Sequence, residues 1–169
     1  MISDEQKKKL EDLYQSFLHN ENILKMKDIP MHRGSNCYIH SFKVAKRVMR
    51  KAEKKDNLDY ESLLTASILH DYYLYDWRTN KALKKKHGRR HPFVANENAK
   101  KDFAIPEAVS SIMLSHMWPL TPQFFPKTKE AKLLNHSDHI IATKEFITGK
   151  RFKNKREAKY LSYIGRLFD

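Results

Sequence analysis

Apolar residues recur along the chain at spacings of three and four, and strand-like alternation is nearly absent. That pattern predicts a succession of helices. Ser3 with Gln6 makes a capping box opening a helix to about Asn20, with Leu10, Leu13, Tyr14, Phe17 and Leu18 inward. A short helix over Glu21 to Lys27 stops ahead of Pro30. Asn36 caps a helix to about Lys54, with Cys37, Val44, Val48 and Ala52 inward, and Asp59 caps another from Tyr60 to about Asp71. Further helices are predicted over His91 to Phe103, over Pro106 to Met117 with the proline in its first turn, over Thr128 to Thr148, and from about Lys155 to Phe168. Thr79 to Arg90 reads as a basic loop and Pro119 to Lys127 as a proline-rich one. With 4 Gly, 6 Pro, no repeat and no internal linker, the 169 residues predict a single all-α domain spanning 1–169.

Composition narrows the class. Nine Phe, eight Tyr and two Trp set the chain apart from disordered sequences. No apolar run approaches the ~20 residues of a spanning helix, and the polar start from Met1 to Lys9 does not read as a secretory signal. The single cysteine, Cys37, has no internal disulfide partner, which suggests a reducing, cytoplasmic setting. Lys and Arg total 33 against 20 Asp and Glu, a net charge of +13, which suits an anionic partner such as a nucleotide, another phosphate ester or a nucleic acid.

Six polar residues fall on the inward faces. His40 shares its face with Cys37, Val44 and Val48. His70 continues Leu63, Ala66 and Ser67, and Asp71 continues Leu64 and Ile68. His91 aligns with Val94 and Ala95, His116 with Val109, Ile112 and Met113, and Asp138 with Leu134 and Ile141. One inward histidine is ordinarily a hydrogen-bonded core residue. Four, with two aspartates whose burial without partners costs several kcal/mol, are satisfied together by a metal cluster. His19, His136 and His139 fall on polar faces. The chain contains neither an H-E-x-x-H motif nor a P-loop, and its one cysteine excludes a cysteine-type zinc site.

The order His40, His70-Asp71, Asp138 resembles the HD-domain superfamily of metal-dependent phosphohydrolases. The local texts are CYIHSFKVAKRV, LLTASILHDYYLYDW and LLNHSDHIIATKE. His91 in RRHPFVANENAKK and His116 in SHMWPLTP resemble the subset with ligands for a second metal, as in small bacterial HD proteins. The resemblance covers roughly Met31 to Glu145. His139 stands where many relatives have a lysine, and the extra histidine pair and Gly-Tyr-Pro loop of the cyclic-dinucleotide enzymes do not occur.

The resemblance implies an HD-type helical bundle around a central metal site. His40, His70, Asp71 and Asp138 would hold one divalent transition metal ion, and His91 and His116 the second. Asp71 would bridge, with Asp71 and His70 as the catalytic residues. A hydroxide bridging the ions would attack phosphorus. Nitrogen and oxygen donors without sulfur suit Fe or Mn, with Zn or Ni as further choices. Arg33, His32, His87, Arg89 and Arg90 are the expected substrate-binding residues, with Lys43 a weaker one, and Asp76 and Glu145 could orient histidine ligands. The substrate would be a small phosphorylated anion. The same ligand frame also serves di-iron HD-type oxygenases, the alternative reading. A third reading is a nucleic-acid-binding module using the basic segments Lys84 to Arg90 and Lys150 to Arg156, although no aromatic-interleaved RNA motif or helix-turn-helix pattern accompanies them. No membrane partner is expected, and a monomer and a homodimer are equally compatible with the sequence.

Overall fold

The computed structural model describes residues 2–31, 35–79, 81–148 and 157–168. It contains α1 (Asp4–Leu18), α2 (Glu21–Leu24) running into a 3₁₀ turn (Lys25–Asp28), α3 (Cys37–Ala52), α4 (Tyr60–Leu69), α5 (Lys81–Phe103), α6 (Glu107–Leu114), α7 (Lys129–Thr148) and α8 (Glu157–Ile164). Among the described residues there is no strand, and the fold is all-α. His32, Arg33 and the basic segment 150–156 lie outside the described residues.

The predicted caps form. The side chains of Ser3, Asn36 and Asp59 accept from the backbone N–H of Gln6, Ile39 and Ser62, opening α1, α3 and α4. α3 is the central helix: it packs on α4, α7 and α8, and α4 in turn packs on α1 and α6. The core runs from Leu10 and Tyr14 of α1 through Phe42, Val44 and Val48 of α3 to Leu63, Leu64 and Ile68 of α4. None of the described helices is long and apolar enough to cross a membrane.

One boundary differs materially from the pattern. The segment expected to be a basic loop is helix: α5 starts at Lys81 and runs through Gly88 and Pro92 to Phe103. Glycine and proline four residues apart read as a break, yet the proline removes only one backbone hydrogen bond. The helix is held across this point from its side: His87 stacks on Trp77 and donates or accepts at Tyr75 Oη, 3.1 Å away, while its carbonyl binds His91. A β-carbon at Gly88 would sit 2.8 Å from Leu120, so this residue is where the 119–127 loop comes close to α5. Two smaller shifts concern the site. α4 ends at Leu69, leaving His70 as its cap and Asp71 in the following turn, and α6 ends at Leu114, leaving His116 in a turn. Pro106 occupies the cap position with extended ψ instead of the first turn.

Candidate metal centre

The six inward polar residues meet at one place. All are buried: His40, His70 and His116 are at most 1% exposed, Asp71 3%, and His91 and Asp138 5%. They form two adjoining groups, His40 with His70 and Asp138, and Asp71 with His91 and His116. Asp71 faces both. Its Oδ2 lies 3.7 Å from His40 Nε2 and 3.4 Å from His70 Nε2. Its Oδ1 lies 3.2 Å from His91 Nε2 and 3.8 Å from His116 Nε2. Asp138 Oδ1 closes the first group at 3.0 Å from His40 Nε2 and 3.6 Å from His70 Nε2.

Local structure determines which ring nitrogen points inward. His70 Nδ1–H donates to the Ser67 carbonyl at 2.9 Å, His91 Nδ1–H to His87 at 3.0 Å, and His116 Nδ1–H to Met113 at 2.7 Å. A carbonyl oxygen can only accept, so each Nδ1 carries the proton, and each Nε2 of the neutral ring presents a lone pair. His40 Nδ1–H donates instead to Glu145 Oε2 at 2.8 Å. Glu145, on α7, also accepts from Lys43 Nζ at 2.8 Å and from Ser35 Oγ at 3.4 Å. The Nε2 atoms of all four rings and the two carboxylates therefore converge: His40 Nε2 hydrogen-bonds to Asp138 Oδ1 at 3.0 Å, while among the described residues His70 Nε2 and Asp71 Oδ1 have no hydrogen-bond partner. Although His91 Nε2 is only 3.2 Å from Asp71 Oδ1, the geometry is not that of a hydrogen bond. His91 and His116 also point Nε2 at Nε2 across 2.9 Å. Buried acceptors facing one another lack a positive partner, and divalent cations supply one. The donor set fits.

The electrostatics agree. Burial opposes charge on Asp71 and Asp138, but the surrounding imidazoles outweigh it and hold both carboxyls below their ordinary range. Burial, aided by His70 and His91, pushes His116 down to about 3, so it is neutral and able to ligate. At His40 burial also disfavours charge, yet Glu145 and Asp138 prevail and raise its pKa well above the usual value. Burial raises Cys37, next to the site, as does the Asp71 charge. Its thiol donates to Tyr73 Oη at 3.1 Å and is no candidate nucleophile or thiolate ligand.

The site also contains residues that periodicity does not single out. Asn135 of α7 donates from Nδ2 to the carbonyls of His116 and Trp118, at 2.7 and 2.8 Å, fixing the turn that carries His116. Asn98 donates to the Tyr72 carbonyl at 3.0 Å, and Tyr72 donates to Asp102 at 2.8 Å, tying the turn after Asp71 to α5. Leu74 in that turn has φ 49°, a left-handed value that a branched side chain rarely adopts. No spacing rule points to either asparagine, because an amide gives no hint of which carbonyl it will reach.

The residues expected to orient the histidines and to bind substrate divide. Glu145 reaches His40. Asp76 does not approach a ligand but caps its own turn, accepting from Arg78 N at 2.9 Å and Nε at 3.3 Å. His87 stacks on His91, with ring centroids 4.7 Å apart, at the edge of the site. Arg89 and Arg90 are exposed on α5; Arg90 is near enough to Tyr75 to act on it electrostatically. His19, His136 and His139 are exposed.

A family model described as HD domain matches residues 37–146, more than half of the chain. The chain belongs to the HD-domain family. This family falls within a superfamily of metal-dependent hydrolases, and the match runs from the start of α3 into the last turn of α7 and includes all six residues of the two buried histidine and aspartate groups. No curated protein and no solved structure matches the chain significantly.

Proposed function

We propose that this HD domain, a single domain over 1–169, is a metal-dependent phosphohydrolase that cleaves a phosphate ester or phosphoanhydride in a small, nucleotide-like anion. The observation that carries the reading is the buried meeting of four histidine Nε2 atoms with two carboxylates, split by the two oxygens of Asp71 into adjoining groups. His40, His70 and Asp138 would hold one divalent ion, His91 and His116 the other, with one oxygen of Asp71 for each. Fe or Mn suits these donors best, then Zn or Ni. When bound, such a pair of ions supplies Lewis acidity toward phosphoryl oxygens and lowers the pKa of water between them.

The chain's own groups do the rest. The backbone carbonyls of Ser67, His87 and Met113 fix three imidazoles in the ligating tautomer, and Glu145 fixes the fourth. Asp71 and His70 stand at the junction of the two groups. His87, with Tyr75 on its Nδ1, and Arg90 and Arg89 beyond it form the cationic side from which an anion would approach and be oriented. Arg33 and His32, close in sequence to α3, are proposed to join them. The exposed lysines of α5, Lys84, Lys85 and Lys86, add long-range attraction.

The test is hydrolysis by metal-free protein reconstituted with Mn(II) or Zn(II) under anaerobic conditions, assayed on a panel of phosphomonoesters, nucleotides and dinucleoside polyphosphates. Release of phosphate with a redox-inert ion is the expected result. Turnover that requires iron and oxygen, with no hydrolysis under the anaerobic conditions, would replace this reading with the oxygenase one.

A further inference from the structure

The four histidines are not oriented alike. His70, His91 and His116 donate to carbonyls three or four residues back in their own elements, contacts as rigid as the backbone. His40 depends on a charged side chain from a distant helix, Glu145, 105 positions later. Glu145 is itself held by a side chain. Lys43, one turn after His40 on α3 and only 8% exposed, donates to Glu145 Oε1 at 2.8 Å.

The other side of the Lys43 ammonium faces α8. Its Nζ lies 3.8 Å from the centroid of the Tyr160 ring, close enough for a strong cation–π contact at a site largely screened from water. α8 is fastened where it passes: Tyr14 Oη donates to the Ile164 carbonyl at 2.7 Å, and Gln15 Nε2 donates to that of Gly165 at 2.7 Å. The Glu11 carboxylate accepts from the backbone N–H of Leu167 at 3.0 Å and of Phe168 at 3.3 Å. Ile164 and Leu167 are buried. A continuous line thus runs from the C-terminal helix to one ligand: Tyr160 ring, Lys43 ammonium, Glu145 carboxylate, His40 imidazole.

We propose that Tyr160 is a positioning residue for the His40 half of the metal centre. The ring face confines the Lys43 ammonium on Glu145, and Glu145 so held keeps the His40 ring aimed inward. A flexible four-carbon stem without that face lets the ammonium turn to solvent and loosens Glu145. The His91 and His116 half has no such dependence. The C-terminal helix, which lies outside the matched HD region of 37–146, therefore tunes one metal position and not the other. This inference rests on the two-ion reading.

The experiment is Co(II) titration of the full-length metal-free chain, followed by calorimetry and by the visible absorption of the bound ion. Wild type should show two classes of binding. Tyr160→Met keeps apolar bulk but removes the ring face; it should weaken one class by roughly 3- to 10-fold and leave the other unchanged. Tyr160→Phe, which keeps the ring, should behave as wild type. Tyr163→Met removes the neighbouring ring, which covers Lys46 at 4.6 Å, and should change neither class. Tyr160→Leu is the second variant should the methionine one not fold. Two unchanged classes in the folded Tyr160 variant, or equal weakening of both, would overturn the inference while leaving the two-ion site standing. A wild-type protein that takes up no cobalt would overturn the two-ion reading, and this inference with it.

Discussion

His91 and His116 point Nε2 at Nε2 across 2.9 Å, and each has already committed its Nδ1 proton to a backbone carbonyl. Neither ring has a proton left to place between them. Two lone pairs at that distance in a buried pocket are destabilising until a cation enters. Metal should therefore stabilise the fold. At a free metal concentration about 100 times the dissociation constant, one site adds about 2.7 kcal/mol. Thermal denaturation of chelator-treated protein with and without added Mn(II) checks this, and equal midpoints would contradict it.

Asp71→Ala should remove metal from both groups, because one oxygen serves each group. The loss takes hydrolysis with it. His116→Ala, which touches only the second group, should keep about one ion per chain. Elemental analysis of the two variants separates them; a fully loaded Asp71→Ala protein would refute the bridging role.

Glu145→Gln keeps a hydrogen-bond acceptor for His40 but removes the charge between His40 and Lys43. Loss of such an outer partner should weaken one metal position by about 10- to 100-fold. Competition titration with a chelating dye would reveal it, as one class of binding shifting and the other holding.

Much of this centre is legible in the sequence, and the reason is burial. A helix that places His40 in line with Cys37, Val44 and Val48 has no other inward use for an imidazole so close to Asp138 and Asp71. The caps at Ser3, Asn36 and Asp59 were equally readable, because their side chains act on backbone within three residues. What the pattern hid were long-range or exceptional contacts. Gly88 and Pro92 mimic a helix break, and the packing of Trp77, Tyr75 and His87 supports α5 through them. Asp76 looked as suitable as Glu145 for orienting a histidine, but local hydrogen bonds to Arg78 claim it. Asn135 and Asn98 act on carbonyls that no spacing rule identifies.

The helical course of α5 changes the expectation for its arginines. Arg90 acts on Tyr75, which binds His87 beside the metal ligands. Arg90→Ala should raise KM by roughly 10-fold or more, the loss of one charge-assisted hydrogen bond worth ~1.5–3 kcal/mol. Replacing Lys84 or Lys85 should alter only the salt dependence of the rate. Steady-state kinetics at two ionic strengths distinguish the cases, and an unchanged KM in Arg90→Ala with metal content intact would return this residue to solvated surface.

Acid should destabilise the metal-free protein. Burial holds His116 down to about 3, so the unfolded chain, titrating near ~6.5, binds that proton first. Stability fully present above ~6.5 is then lost as pH falls toward ~3. The depressed carboxyls of Asp71 and Asp138 extend the loss below about pH 4. His40 has the opposite sign: its raised pKa contributes stability below ~6.5 that disappears as pH rises through the raised value. Urea midpoints should therefore peak slightly on the acid side of neutrality. A profile flat from about pH 6 to about pH 4 would contradict the buried, neutral His116.

The most direct test of the centre as a whole is anomalous diffraction from crystals of the full chain grown with Mn(II). Two anomalous peaks are expected about 3.5–4 Å apart, one among His40, His70 and Asp138, the other beside His91 and His116, with an oxygen of Asp71 on each. A single peak, or His91 and His116 turned away from any ion, would contradict a two-ion site.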